Sequence, residues 1–197
     1  KVLWSKGDRI AVRTGNATAQ TSYVTSEEGE TTATFTAEDI NASPDFTKGA
    51  IAVYPAEGAE INATDKVYLT IPQEQSYAEG SFDDDAMPMV SSFTRKPEFT
   101  FHNAAGALNL QLYTTLGDFD VKSVTITTTE GFLSGKCRYI PETRTYKTDD
   151  AASAYYNKVV LNCGKGVTIG KNARSFFVVV PHGEYKDLAI CVKSTKG

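Results

Sequence analysis

Along nearly the whole chain, apolar and polar residues alternate in short runs with a period of two, the pattern of half-buried β-strands rather than helices. Ile10 and Val12 alternate with Ala11 and Arg13, predicting a strand over 9–14 after the polar turn Ser5-Lys6-Gly7-Asp8. A loop over 15–20, a short strand over 23–25 and a solvated hairpin tip at Glu27-Glu28-Gly29-Glu30 follow, and a strand over 31–36 carries Phe35. Thr36 and Asp39 approach capping-box spacing ahead of Ile40, which predicts one helical turn limited by Pro44. Ala50 to Tyr54 is a compact apolar strand stopped by Pro55, and Val67, Leu69 and Ile71 alternate cleanly until Pro72.

From Pro72 to Ser92 the pattern lapses. This segment holds Asp83-Asp84-Asp85 and then Met87-Pro88-Met89-Val90, and it reads as a connector between two packed bodies, too apolar to be wholly solvated. The rhythm resumes at Phe99 to Tyr113, where Phe99 and Phe101, then Leu108, Leu110 and Leu112, alternate with polar residues on either side of Gly106. Two strand segments joined by a bend or bulge fit that stretch. Val124 and Ile126 mark the next strand, Cys137 to Ile140 another, and 141–154 a polar, exposed loop. Strands over 159–163 and 167–169 follow, separated by Gly164-Lys165-Gly166 read as a hairpin turn. The unbroken apolarity of Phe176 to Val180 predicts burial on both faces, and Leu188, Ile190 and Val192 alternate as the last strand.

The fold class predicted is therefore all-β, with two sandwiches over 1–91 and 92–197. A chain of 197 residues with 41% hydrophobic content can bury such cores without metals or staples. A net charge of -4 with scattered Lys and Arg gives no footprint for nucleic acid. No apolar run approaches the roughly 18 residues of a membrane span. Cys137, Cys163 and Cys191 form an odd set in apolar strand contexts, predicting inert buried thiols, with at least one unpaired within the chain.

Candidate chemistry is sparse. His102 and His182 have no neighbouring ligand at metal spacing, and His102 falls on the polar side of its strand. The Asp83-Asp84-Asp85 run lacks the spacing of a calcium loop and reads as a solvated turn. Tyr155-Tyr156 could stack on a sugar ring, but adjacent strand residues point to opposite faces, so at least one is expected in the core. No catalytic, cofactor or metal residue is assigned, and an enzyme is not expected.

Four blocks carry a family resemblance: Trp4-Ser5-Lys6-Gly7-Asp8-Arg9-Ile10-Ala11-Val12; Ile71 to Tyr77 running into Phe82 and Ala86-Met87-Pro88-Met89-Val90; Phe99 to Leu112; and Phe176 to Pro181 leading to Leu188-Ala189-Ile190-Cys191-Val192. In this order they resemble the fimbrillin-like proteins of the Bacteroidetes, the pilins, tip adhesins and surface lipoproteins of type V pili. The resemblance implies two tandem transthyretin-like (Greek-key) β-sandwiches, export as a lipoprotein to the outer membrane, and incorporation into a surface fimbria by donor-strand exchange. Members of the family carry a strand and a basic cleavage site ahead of the Trp-x-x-Gly-Asp block, and further strand after the last block. Both are expected to lie beyond residues 1–197, removed by maturation, trimming or disorder.

The partners implied are other fimbrial subunits, with a host or bacterial surface glycan or protein as the ligand of a tip adhesin, and the membrane only through a removed lipid anchor. Trp4, Ile10 and Val12 are expected to border a vacated first-strand position, and Leu188, Ile190 and Val192 to lie near the missing C-terminal strand. An open apolar groove in the first sandwich is the expected mark of a pilus subunit. A concave aromatic platform in the second would mark the alternative, a monomeric surface lipoprotein binding glycan or another ligand through its loops.

Overall fold

The computed structural model describes residues 3–148 and 153–194, and its regular structure is β-strand apart from two short 3-10 turns, Phe46–Lys48 and Asp84–Ala86. The strands are β1 (Arg9–Thr14), β2 (Thr21–Thr25), β3 (Phe35–Ala37), β4 (Ala50–Tyr54), β5 (Glu60–Ala63), β6 (Lys66–Ile71), β7 (Glu74–Ser76), β8 (Met89–Ser91) and β9 (Phe101–Asn103). They continue with β10 (Ala105–Leu112), β11 (Phe119–Thr127), β12 (Ser134–Ile140), β13 (Thr145–Lys147), β14 (Ala154–Tyr156), β15 (Lys158–Ile169), β16 (Arg174–Pro181) and β17 (Ala189–Ser194). The chain is all-β, as the period-two pattern predicts.

Two compact units emerge, and their segments interleave. The first comprises Lys1–Leu69, Pro88–Ala104 and Arg138–Lys147; the second comprises Thr70–Met87, Ala105–Cys137 and Thr148–Gly197. A division at residue 91 therefore assigns 70–87, 92–104 and 138–147 to the opposite unit from the one that holds them. The reason lies in the strand pairing. Strand β7 adds in parallel to β15, Leu161 facing Gln75, whereas β8 and β9 extend the sheet of β1 and β4, Val53 facing Val90 and Val90 facing His102. The bend expected near Gly106 falls at Ala104–Ala105, where the chain leaves the first unit for the second.

In the first unit the sheet order is β3-β2-β1-β4-β8-β9. Alternation gives it two apolar faces. Ala11, Ile51, Val53 and Val90 pack with Ile61 of β5, Val67 and Leu69 of β6, and Tyr139 of β12. On the opposite face Ile10, Val12, Ala50, Ala52, Tyr54 and Met89 gather around Trp4. All five residues of β4 are buried because both of its faces are covered.

In the second unit a sheet of order β17-β11-β15-β7 faces the two-stranded pair β10-β16. Its core joins Val124 and Ile126 of β11, Val159 and Leu161 of β15, and Phe176, Val178 and Val180 of β16. Strand β16 is buried at Phe176 and from Val178 to Pro181, with Phe177 half-buried, close to what the unbroken apolarity of Phe176 to Val180 predicts.

Several local expectations are corrected. Gly164-Lys165-Gly166 is not a hairpin turn but lies within β15, where Val121 pairs with Val167 and Ser123 with Asn162. Lys122 spans that bulge, its Nζ donating to Gly164 O at 3.2 Å and Lys165 O at 2.7 Å. Positive φ at Gly164 (57°) and Gly166 (117°) lets the backbone accommodate it. The strand expected over 31–36 is confined to Phe35–Ala37, and the helical turn forms at Phe46–Lys48, capped by the Asp45 carboxylate accepting from Thr47 N at 3.0 Å. The 72–92 connector contains β7, a 3-10 turn and β8, with Gln75, Met87, Met89 and Val90 buried. The polar loop over 141–154 contains β13 and the start of β14, residues 149–152 lying outside the described set.

Candidate functional sites

The first unit carries a cleft of about 850 Å³ with an apolar, aromatic floor. Its floor is the Trp4 face of the sheet, with side chains from β1, β2, β3, β8 and β9, and its walls are the segments around 31–34, 42–46 and 97–100. Trp4 enters through an isolated bridge, its N–H donating to Glu30 O and its carbonyl accepting from Gly29 N, both at 2.8 Å. Phe35, Tyr54 and Phe101 stand edge-on around the indole, with centroids 5.0, 5.3 and 5.4 Å away. This is the favourable arrangement of positive ring edge against negative ring face.

Trp4, Ile10 and Val12 all line this cleft, and all three are buried. The structure thus brings them together, but not beside a vacated strand position. Strand β1 pairs along one edge with β2, Ile10 facing Tyr23, and along the other with β4, Val12 facing Ala52. An incoming strand therefore finds no free backbone on β1.

Tyr23 forms part of the wall shared by this cleft and a neighbouring pocket of about 180 Å³, together with Val12, Ala42 and Pro44. Its hydroxyl is buried and has no hydrogen-bond partner. Burial accordingly pushes its pKa above the ordinary tyrosine value. Among the described residues, Glu98 is the one charged member of the cleft lining.

The second unit presents a different opening. Ile190 and Val192 of β17 sit opposite Ile126 and Val124 of β11 and therefore share their core-side face. Yet Ile190 is 50% exposed and Val192 38%, whereas Ile126 and Val124 are buried. Leu188, just before the strand, is 45% exposed. The facing pair β10-β16 leaves this side of the core uncovered.

The free edge of β10 can be read from one side chain that sequence reasoning passed over as part of a connector. Gln75 is buried at 1% exposure, its amide nitrogen donating to Val179 O and its carbonyl accepting from Val179 N, both at 2.8 Å. The polar groups of Val179 thus point away from β10. In an antiparallel ladder, outward-pointing pairs alternate with bonded ones. Val179 faces Ala107, so Ala105, Ala107, Asn109 and Gln111 also direct their N–H and C=O groups outward, at the opposite edge. The same phase puts Pro181, which has no N–H, opposite Ala105. Among the described residues no strand pairs with that edge of β10. Leu108, Leu110 and Leu112 beside it are half-buried against the core.

Other candidates resolve into structural roles. His102 lies 3.2 Å from Ser92 Oγ through Nε2, and His182 is exposed. Asp83 accepts from Ser76 N at 2.6 Å through its carboxylate. Tyr155 and Tyr156 are both exposed, at 46% and 53%, contrary to the expectation that one is core, because β14 is a short strand with all three residues exposed. Tyr155 packs its ring against Phe132 at 5.7 Å. Cys137 and Cys163 are buried free thiols whose pKa burial pushes up to about 11, but Cys191 is exposed on β17.

What these sites define is a class: an all-β chain with an aromatic cleft on one sheet face and an unpaired strand edge beside uncovered core residues. No family of known proteins, no curated protein and no solved structure matches the chain.

Proposed function

We propose that this protein is a structural or accessory subunit of a cell-surface fimbria of the type V kind, exported as a lipoprotein precursor, that assembles by accepting a strand from a neighbouring subunit. The observation that carries the reading is the β10 edge. It offers main-chain donors and acceptors at Ala107, Asn109 and Gln111 beside the half-buried Leu108, Leu110 and Leu112. No charged residue occurs within β10 to oppose pairing, where edge strands that avoid association carry charges, prolines or bulges. The core-side residues of β17 left half-exposed are what a sandwich short of one strand displays. An incoming strand with apolar residues at alternate positions gains affinity from the ladder and specificity from the side-chain sites. A catalytic role has no place in this reading.

The test is assembly of the exported full-length protein before and after limited trypsin treatment, followed by size-exclusion chromatography and electron microscopy. SDS-resistant ladders or filaments are expected from the wild type after cleavage. Asn109→Pro removes an outward N–H and an exposed side-chain acceptor of Gln111 Nε2, and places its ring in the path of an added strand, a position where edge strands tolerate proline. It is expected to fold and to stay monomeric. Filaments undiminished in this variant, or a wild type that stays monomeric after cleavage, would overturn the reading.

A further inference from the structure

We propose that the cleft of the first unit is a binding site for an uncharged, largely apolar small molecule, an aromatic or hydrocarbon body bearing few polar atoms. The volume of about 850 Å³ lies within the range of about 300–1,000 Å³ that encloses drug-sized ligands. The lining favours such a body over a peptide. Every peptide residue brings an N–H and a C=O that need partners once buried. The central strands under the cleft have their backbone groups committed to the sheet, β1 on both edges. What the cleft offers a guest is chiefly the ring faces and edges around Trp4, Phe35, Phe99 and Phe101, which reward apolar area, rimmed by the neutral side chains of Thr31, Thr32, Thr34, Thr100 and Asn103.

Charge narrows the class further. Among the described residues Glu98 is the sole carboxylate on the lining and no Lys, Arg or His balances it, so an anion gains nothing there and meets repulsion. The remaining polar groups of the lining are neutral, the hydroxyls of Thr31, Thr32, Thr34 and Thr100 and the amide of Asn103, which suit the few polar atoms of an uncharged guest. This site shares no residue with the β10 edge and stands or falls separately from strand assembly.

Trp4 is the only tryptophan of the chain, so the cleft contains its own reporter. The probe is N-phenyl-1-naphthylamine, which is uncharged, aromatic and fluorescent when removed from water. Titration of the full chain is expected to give saturable, one-to-one binding, read as probe emission and as quenching of Trp4. Ala33→Phe and Ala42→Phe, which add bulk at the wall of the cleft, are expected to weaken binding tenfold or more. Leu116→Ser, a change at a fully exposed leucine of the second unit, is expected to leave it unaltered. Retained near-ultraviolet circular dichroism in both filled variants guards against misfolding, and if one variant loses it the other decides. Non-saturating binding, or binding insensitive to a folded cleft-filling variant, would overturn the proposal. An anionic analogue, 8-anilinonaphthalene-1-sulfonate, binding as tightly as the neutral probe at the same site would overturn the charge argument.

Discussion

Gln75→Met replaces the amide that satisfies Val179 with an apolar chain of nearly the same length. The substitution removes two hydrogen bonds of 2.8 Å and a long one of 3.4 Å to Pro72 O, and leaves the N–H and the C=O of Val179 without partners. Val179 is at 0% exposure, so water does not readily take the place of the amide. An orphaned buried donor or acceptor costs about 1–3 kcal/mol, giving about 2–6 kcal/mol for the pair. Burying a thioether where an amide stood returns roughly 1 kcal/mol. The net expectation is a loss of about 1–5 kcal/mol, a sizeable part of the 5–15 kcal/mol typical of a folded domain. With a urea m-value of about 2 kcal/mol/M, the midpoint falls by about 0.5–2.5 M. Far-ultraviolet circular dichroism against urea measures it, and hydrogen exchange of the Val179 amide localises it. A midpoint shift below about 0.3 M, or a Val179 amide still protected in the variant, would refute the reasoning and with it the hydrogen-bond phase assigned to β10.

The same phase predicts that the amides of Ala107, Asn109 and Gln111 exchange with solvent much faster than those of Leu108 and Leu110, which nuclear magnetic resonance resolves residue by residue; equal protection would remove the free edge. Ellman's reagent at pH 8 is expected to titrate Cys191 quickly and Cys137 and Cys163 only on unfolding, since the latter two are buried with pKa values near 11. Stability is expected to fall as pH rises above about 10, the unfolded tyrosine value. Burial raises the folded pKa of Tyr23, Tyr77 and Tyr139, and that of Tyr185 to about 12, so the unfolded chain releases protons first in that window and flat stability from pH 9 to 12 would contradict it. Gly135→Ala is expected to destabilise by more than about 2 kcal/mol in thermal unfolding. Its φ of 105° and the 2.6 Å approach of a Cβ to the Tyr155 backbone leave no room for relaxation.

The strands were legible in the sequence wherever one face is buried, because burial on one side imposes a period of two. Ile10 and Val12, or Val124 and Ile126, announce themselves in this way. The Gly164-Lys165-Gly166 segment misled because glycine marks a turn and a bulge alike, and only the pairing of β15 with β11 on both sides of it distinguishes them. The division at residue 91 failed for a related reason. Composition marks where a chain changes character, whereas unit membership depends on which sheet a strand joins, and β8 and β9 join the sheet of β4 through pairings invisible to local pattern.

The candidate sites were legible by residue but not by role. Trp4, Ile10 and Val12 stand out as apolar positions, yet whether they flank an open edge or floor a cleft depends on how many partners β1 has, and it has two. Leu188, Ile190 and Val192 carry the alternation of a buried strand and still stand half-exposed, because alternation records which side faces the core, not whether the opposing layer extends far enough to cover it. The β10 edge was hidden most deeply. Its sequence is that of any half-buried strand, and its open side follows only from Gln75, a residue that sits in a polar stretch and is buried because the backbone of β16 offers it two hydrogen bonds. A buried glutamine that binds another strand's backbone fixes the direction of every polar group along that ladder. Replacing it therefore tests at once the stability of the second unit and the direction from which a partner strand can approach.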